Sequence, residues 1–219
     1  MDFHLHIRTF AYPHISKTMD ELKAQGIFRE QLKKYVEFNE AEWIVFTQHL
    51  SFSTLKKRKH FVEPGMTCKD IGFIVAGAVR YYYVKDGEEL TGYFSFENEY
   101  VSSYKSYLTQ TPAVSYIQAL TDTELITITH KNMQLMLANP MLAYKMERFG
   151  RLVAEHYLIC YEDRVSGFVT KTPEERYMDL LSTGREILQR MPQHYIAHFL
   201  GITPVSLSRI RRRILVEAR

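Results

Sequence analysis

The chain of 219 residues holds two cysteines, one tryptophan, seven prolines and a formal net charge of only +3. Cys68 and Cys160 are too few for a disulfide scaffold, and too few to hold an iron–sulfur cluster by themselves. No apolar run is long enough to span a bilayer. The opening residues lack the charged start, apolar stretch and small-residue cleavage site of a secretion signal. Together these absences point to a cytoplasmic protein with no membrane partner. Metal-dependent catalysis needs several histidines and a carboxylate that converge, whereas His4 and His6 lie in the first few residues and His60 stands apart. The expectation is a protein that is not an enzyme, with no catalytic residues, no metal and no cofactor.

Aromatic residues are plentiful, with 15 Tyr and 13 Phe, and their arrangement divides the chain. Residues 1–18 show no sustained period and read as a loose tail, and Met19 offers a second possible start. Residues 20 to about 50 look helical, with Asn39-Glu40-Ala41-Glu42 in the form of a capping box. The pattern then changes to β-rich runs, Ile71 to Val75 and Ala78 to Val84, punctuated by Gly65, Gly77 and Asp86-Gly87. Short strands with tight turns predict a jelly roll, and Asp86-Gly87 is its clearest hairpin signal. The basic run Lys56-Lys57-Arg58-Lys59 reads as a solvated sheet edge.

From Asn139-Pro140, where Asn can cap a helix and Pro can open it, a long helix is expected to run to about Asp163. Leu142, Met146, Phe149, Val153, His156 and Cys160 fall at steps of four and three, a coiled-coil seam that predicts a homodimer. Packing of that stripe on its own β domain is the alternative. Thr172-Pro173-Glu174-Glu175 opens the next helix with a second capping box. The expected division is therefore a tail at 1–18, a sensor domain at 19–138, a dimer helix and hinge at 139–166, and a terminal helical domain at 167–219. The fold class is α+β: a β jelly roll with flanking helices, a long dimerisation helix and a C-terminal helix-turn-helix.

The most specific signal is the segment 192–214. Pro192 can open one helix and Gly201 end it in a left-handed conformation, while Thr203 caps a second helix that begins at Pro204. Small Ala197 permits close approach, and Ile196, Leu200, Ile202, Leu207, Ile210 and Ile214 supply the buried side. At about 100° per residue, the second helix sends Val205, Ser208, Arg209 and Arg212 outward. An outward arginine matches the two acceptors of guanine in the major groove, and Val205 can touch a thymine methyl. Ser206 suits a phosphate at the helix start, and Arg211 and Arg213 add attraction without sequence information. Double-stranded DNA is the expected partner.

A glycine-punctuated β domain, a long helix and this helix-turn-helix resemble, in that order, the CRP/FNR family of bacterial transcription regulators. The resemblance covers nearly everything after Met19 and is strongest over Tyr195 to Pro204 and Leu207 to Arg211. It implies a base-contacting role for Arg209, and RNA polymerase as a further partner. Pro204 and Val205 stand where better-studied members carry a charged reading pair, which implies a different operator. Only five residues follow Ile214, so no β wing is expected after the recognition helix. Nucleotide-binding members hold the ribose with a Gly-Glu pair and the cyclic phosphate with an Arg-Ser pair. Here the matching stretches read Val101-Ser102-Ser103-Tyr104 and Pro112-Ala113-Val114-Ser115, so cyclic AMP should not bind in the family's manner. The candidate effector pocket is aromatic and hydroxylic: Tyr93, Phe94, Phe96, Tyr100, Ser102, Ser103, Tyr104, Tyr107 and Tyr116. It is expected to be filled by its own side chains, with an unknown small-molecule effector as the alternative. The competing class is a ligand-binding or protein-interaction module without specific DNA binding.

Overall fold

A computed structural model describes residues 19–217, so the tail expected at 1–18 lies outside the described residues. Two helices lead, α1 (Met19–Leu32) and α2 (Glu40–Thr47). The second starts where its capping box demands: Asn39 Oδ1 accepts from the Glu42 amide at 2.9 Å, and Glu42 accepts from the Asn39 amide at 2.8 Å. Eight strands follow: β1 (Ser51–Leu55), β2 (His60–Val62), β3 (Asp70–Ala76), β4 (Val79–Lys85), β5 (Glu88–Ser95), β6 (Tyr100–Val101), β7 (Tyr116–Ala119) and β8 (Thr123–Thr129). The short helix α3 (Tyr104–Thr109) separates β6 from β7.

All pairings are antiparallel, in two four-stranded sheets of order β1-β8-β3-β6 and β2-β7-β4-β5. This is the eight-stranded jelly roll. The β4–β5 hairpin turns at Asp86 (φ 53°) and Gly87 (φ 82°), the two positive φ angles that a two-residue turn with right-handed twist requires. Strand alternation then fixes two faces. Val79, Tyr81 and Ser95 point into the sandwich, while Arg80, Tyr82 and Phe94 point out of it.

The β domain is sealed on one side by α1, α2, α4 (His130–Ala138) and the first half of α5 (Ala143–Thr170). Phe28 of α1 packs on Phe73 with ring centroids 4.7 Å apart, and Phe149 of α5 meets Tyr100 at 5.6 Å and Tyr35 at 5.8 Å. The long helix thus begins at Ala143, three residues after Pro140, and extends to Thr170, past the expected end near Asp163. Asn139 does accept from the Met141 amide at 2.9 Å, but in the turn that ends α4. The chain finishes with α6 (Pro173–Thr183), α7 (Arg185–Arg190), α8 (Gln193–Phe199) and α9 (Pro204–Glu217).

The expected dimer seam needs correction. Leu142, Met146 and Phe149 are buried in the protein's own core and Val153 packs against it, because α1, α4 and the β3 sheet need that stripe to close their interior. His156 is exposed and Cys160 half-buried. The face of α5 left uncovered carries Leu158, Val165 and Val169, which are 67%, 60% and 79% exposed. At about 100° per residue these three lie within roughly 40° of one another.

Candidate nucleic-acid interface and effector cavity

Helices α8 and α9 form the helix-turn-helix through a closed set of local bonds. Gly201, at φ +70°, ends α8. Its amide donates to the His198 carbonyl at 2.9 Å and the Ile202 amide donates to the Ala197 carbonyl at 3.0 Å, the paired bonds of a Schellman motif. Arg176 of α6 donates to the Leu200 carbonyl at 3.1 and 3.2 Å, and Arg164 of α5 to that of Phe199 at 2.9 Å. Both arginines therefore satisfy the negative end of α8. Thr203 Oγ1 accepts from the Ser206 amide at 3.1 Å and starts α9. Ile196, Ala197, Leu200, Leu207 and Ile210 are buried between the helices.

Val205, Ser208, Arg209 and Arg212 all stand exposed on the outer side of α9. Neither Arg209 nor Arg212 has a hydrogen bond or ion pair with a described residue. The other residues expected at DNA are already engaged within the chain. Arg211 donates to Gln193 Oε1 at 2.6 Å, and Arg213 forms an ion pair with Glu174. The Ser206 hydroxyl lies 2.9 Å from Thr203 Oγ1.

The helix-turn-helix is docked on the outer face of the β4–β5 hairpin, a contact the sequence reading did not anticipate. Phe94 and Phe199 bring their rings within 5.5 Å. Arg80, only 2% exposed, lies between the Tyr82 and Tyr195 rings at 4.0 and 4.2 Å. It donates to Glu89 at 2.5 Å and to Gln118 at 2.8 and 3.1 Å. Arg190 grips Glu97 through both carboxylate oxygens, at 2.6 and 3.0 Å. Burial pushes the Glu97 carboxyl up, but Arg190 and the Gly77 amide outweigh it and hold the group below its ordinary range.

Behind the hairpin, between the sandwich and α5, lies a cavity of about 630 Å³. Tyr93, Tyr100, Ser102, Tyr104 and Tyr107 line it as expected, joined by Tyr81, Tyr157 and Tyr161. Four expected members do not line it, among them Phe96, which packs with Phe94 and lies beneath Arg190 instead. Phe94 has the opposite strand parity and is spent on α8. Tyr116 stacks on Tyr82 at 4.7 Å, on the outer side of the same sheet. Ser103 sits at the start of α3. Nor is the space filled by aromatic rings, because α5 presents Gly150 and Ala154 to it. Burial pushes the Tyr81, Tyr93, Tyr100, Tyr107 and Tyr157 phenols well up, so all stay protonated. Pro112 to Ser115, where the resemblance locates a phosphate site, contribute nothing to the lining.

Among the described residues no group of three or more metal-ligating side chains occurs, and no helix is long and apolar enough to cross a membrane. No protein-family model and no curated protein matches the sequence. Solved structures do match in shape. CLP of Xanthomonas campestris, described as a c-di-GMP responsive global regulator, is 16% identical with a TM-score of 0.63, over 79% of this chain and 90% of that one. A CooA variant from Carboxydothermus hydrogenoformans is 16% identical with a TM-score of 0.62, over 86% and 84%. A protein from Eubacterium rectale, described as a transcriptional regulator of the CRP/FNR family, is 19% identical with a TM-score of 0.64, over 82% and 85%. The jelly roll, the long helix and the terminal helix-turn-helix of this chain together make the fold seen in the CRP/FNR transcription regulators.

Proposed function

We propose that the protein is a cytoplasmic, dimeric transcription regulator of the CRP/FNR type that reads double-stranded DNA through α9. The observation that carries this reading is the outer face of α9, where Arg209 and Arg212 stand exposed and unengaged while the opposite face holds the helix-turn-helix together. In this reading Arg209 contacts a guanine and Val205 a thymine methyl, with Ser208 beside them at the groove. Arg212 takes a phosphate, and Ser206, Arg211 and Arg213 reach the backbone only after exchanging their present partners. Two copies meet along Leu158, Val165 and Val169 of α5, which brings two recognition helices to two half-sites. RNA polymerase is the further partner of such a regulator, and cyclic AMP is not its effector.

Selection of duplexes from a randomised pool, with the native protein and with Arg209→Ala, tests the proposal. The expected product is a two-fold symmetric site. The variant should lose about 1–3 kcal/mol on that site and relax its preference at one base pair per half-site. If no sequence is enriched and both proteins bind alike, the chain is an interaction module and the proposal fails.

A further inference from the structure

The arginines of α9 differ in what they touch. Arg209 and Arg212 have no hydrogen bond or ion pair with a described residue. Arg211 is held by Gln193, a neutral amide, at 2.6 Å, so its charge stays uncompensated. Arg213 alone among the four meets a carboxylate, that of Glu174 at the second position of α6.

The start of α6 does not need that carboxylate. Its capping box is complete through Glu175, which accepts from the Thr172 amide at 2.7 Å and from the Thr172 hydroxyl at 2.8 Å. Glu174 is nevertheless kept in place, because a helix start favours negative charge and because α6 and α9 are locked together. Tyr177 and Leu180 of α6 share one buried cluster with Leu207 and Ile210 of α9. At about 100° per residue, Arg213 lies about 40° round α9 from Arg209. Its guanidinium can therefore swing to the flank of any groove that Arg209 enters. DNA then competes with Glu174 for one cation. Release of Arg213 costs the pair and leaves a carboxylate, 35% exposed, beside a polyanion.

We propose that Glu174 is a positioning residue that restrains DNA binding by holding Arg213 off the phosphate backbone. On DNA of arbitrary sequence the pair stays closed. The exchange is made only where Arg209 and Val205 meet their bases and hold α9 against the groove. This restraint rests on the reading of α9 given above.

Fluorescence anisotropy of the full chain on a labelled duplex of scrambled sequence, over a salt series, tests it. Glu174→Gln should bind that duplex about two- to fivefold tighter, the range set by an exposed ion pair. Its plot of log affinity against log salt should steepen by about 0.9, one further phosphate neutralised. Glu174→Asp, which keeps the charge, should keep the native slope. Arg213→Gln should match the native chain on this duplex, and so should the double variant. A pair that served only to tether α6 to α9 would instead weaken binding when either member is replaced. An unchanged slope in Glu174→Gln, a gain that persists in the Arg213→Gln background, or a loss in Arg213→Gln alone each overturns the proposal. The selected duplex, run beside these with Arg209→Ala, separates the two readings. Preference lost in Arg209→Ala with no effect of Glu174→Gln on the scrambled duplex removes the restraint alone. A native chain that binds selected and scrambled duplexes alike removes base reading by α9, while the scrambled-duplex slopes still decide the restraint.

Discussion

Two glycine-to-alanine substitutions should move stability in opposite directions, and the difference tests how the helix-turn-helix is held. Gly201 sits at φ +70°, and a Cβ there would lie 2.7 Å from Phe168 Cε1. The left-handed conformation costs an L-residue about 1–2 kcal/mol. Crowding a packed ring costs about 1–3 kcal/mol, and here the low end applies because Phe168 is 41% exposed and can swing. Lower entropy of the unfolded chain returns about 0.4–1 kcal/mol. The net for Gly201→Ala is a loss of about 2 kcal/mol. At about 2–4 °C per kcal/mol for a chain of this size, the melting temperature should fall by about 4–8 °C. Gly150, inside α5 with open space around it, should gain about 1 kcal/mol as Ala and melt about 2–4 °C higher. Scanning calorimetry of both variants beside the native chain gives the comparison. DNA affinity should also fall for Gly201→Ala, since its Schellman motif sets the angle between α8 and α9. A Gly201→Ala protein that melts at or above the native temperature would refute the reasoning.

Replacing Val165 by Asp places a charge in the exposed stripe of α5, so sedimentation should show monomers and DNA affinity should collapse while the melting temperature changes little. A dimer that persists would move the interface elsewhere. Arg80→Met removes the guanidinium held between Tyr82 and Tyr195, and limited proteolysis should then cleave the α5–α6 junction near Lys171 faster than in the native chain. Unchanged cleavage would mean that Arg80 does not hold the helix-turn-helix in place. The docked Glu97 carboxyl is held below its ordinary value of 4.5. The Arg190–Glu97 contribution to docking is therefore full above that value and lost as pH falls through the depressed one. Proteolysis at the same junction should accelerate only at the acid end, and Glu97→Gln should flatten the profile; acceleration at neutral pH would contradict the assignment.

Local chemistry was legible wherever one residue type answers one backbone demand. Asp86-Gly87 gave the hairpin, Asn39 and Thr172 gave two capping boxes, and Gly201 with Thr203-Pro204 gave the helix-turn-helix. What depended on distant packing was not legible. The stripe from Leu142 to Phe149 and the stripe from Leu158 to Val169 share one period, and only the presence of α1 and α4 decides which is buried inside the chain. Phe94 illustrates the same limit at a finer scale. Both faces of β5 are covered, so its sequence shows no alternation to separate the cavity side from the α8 side.

The open cavity had a signal that went unused. Tyrosines crowded in a jelly roll suggest a filled interior. But a helix packed across such a sheet must supply the facing volume, and α5 places Gly150 and Ala154 four residues apart on the side that faces Tyr100 and Tyr107. Gly costs a helix interior about 1 kcal/mol relative to Ala, a penalty that serves no turn and relieves no close contact here, since Gly150 is helical and its missing Cβ would meet nothing. The space it leaves is the open part of the cavity that the Tyr100 and Tyr107 side chains line.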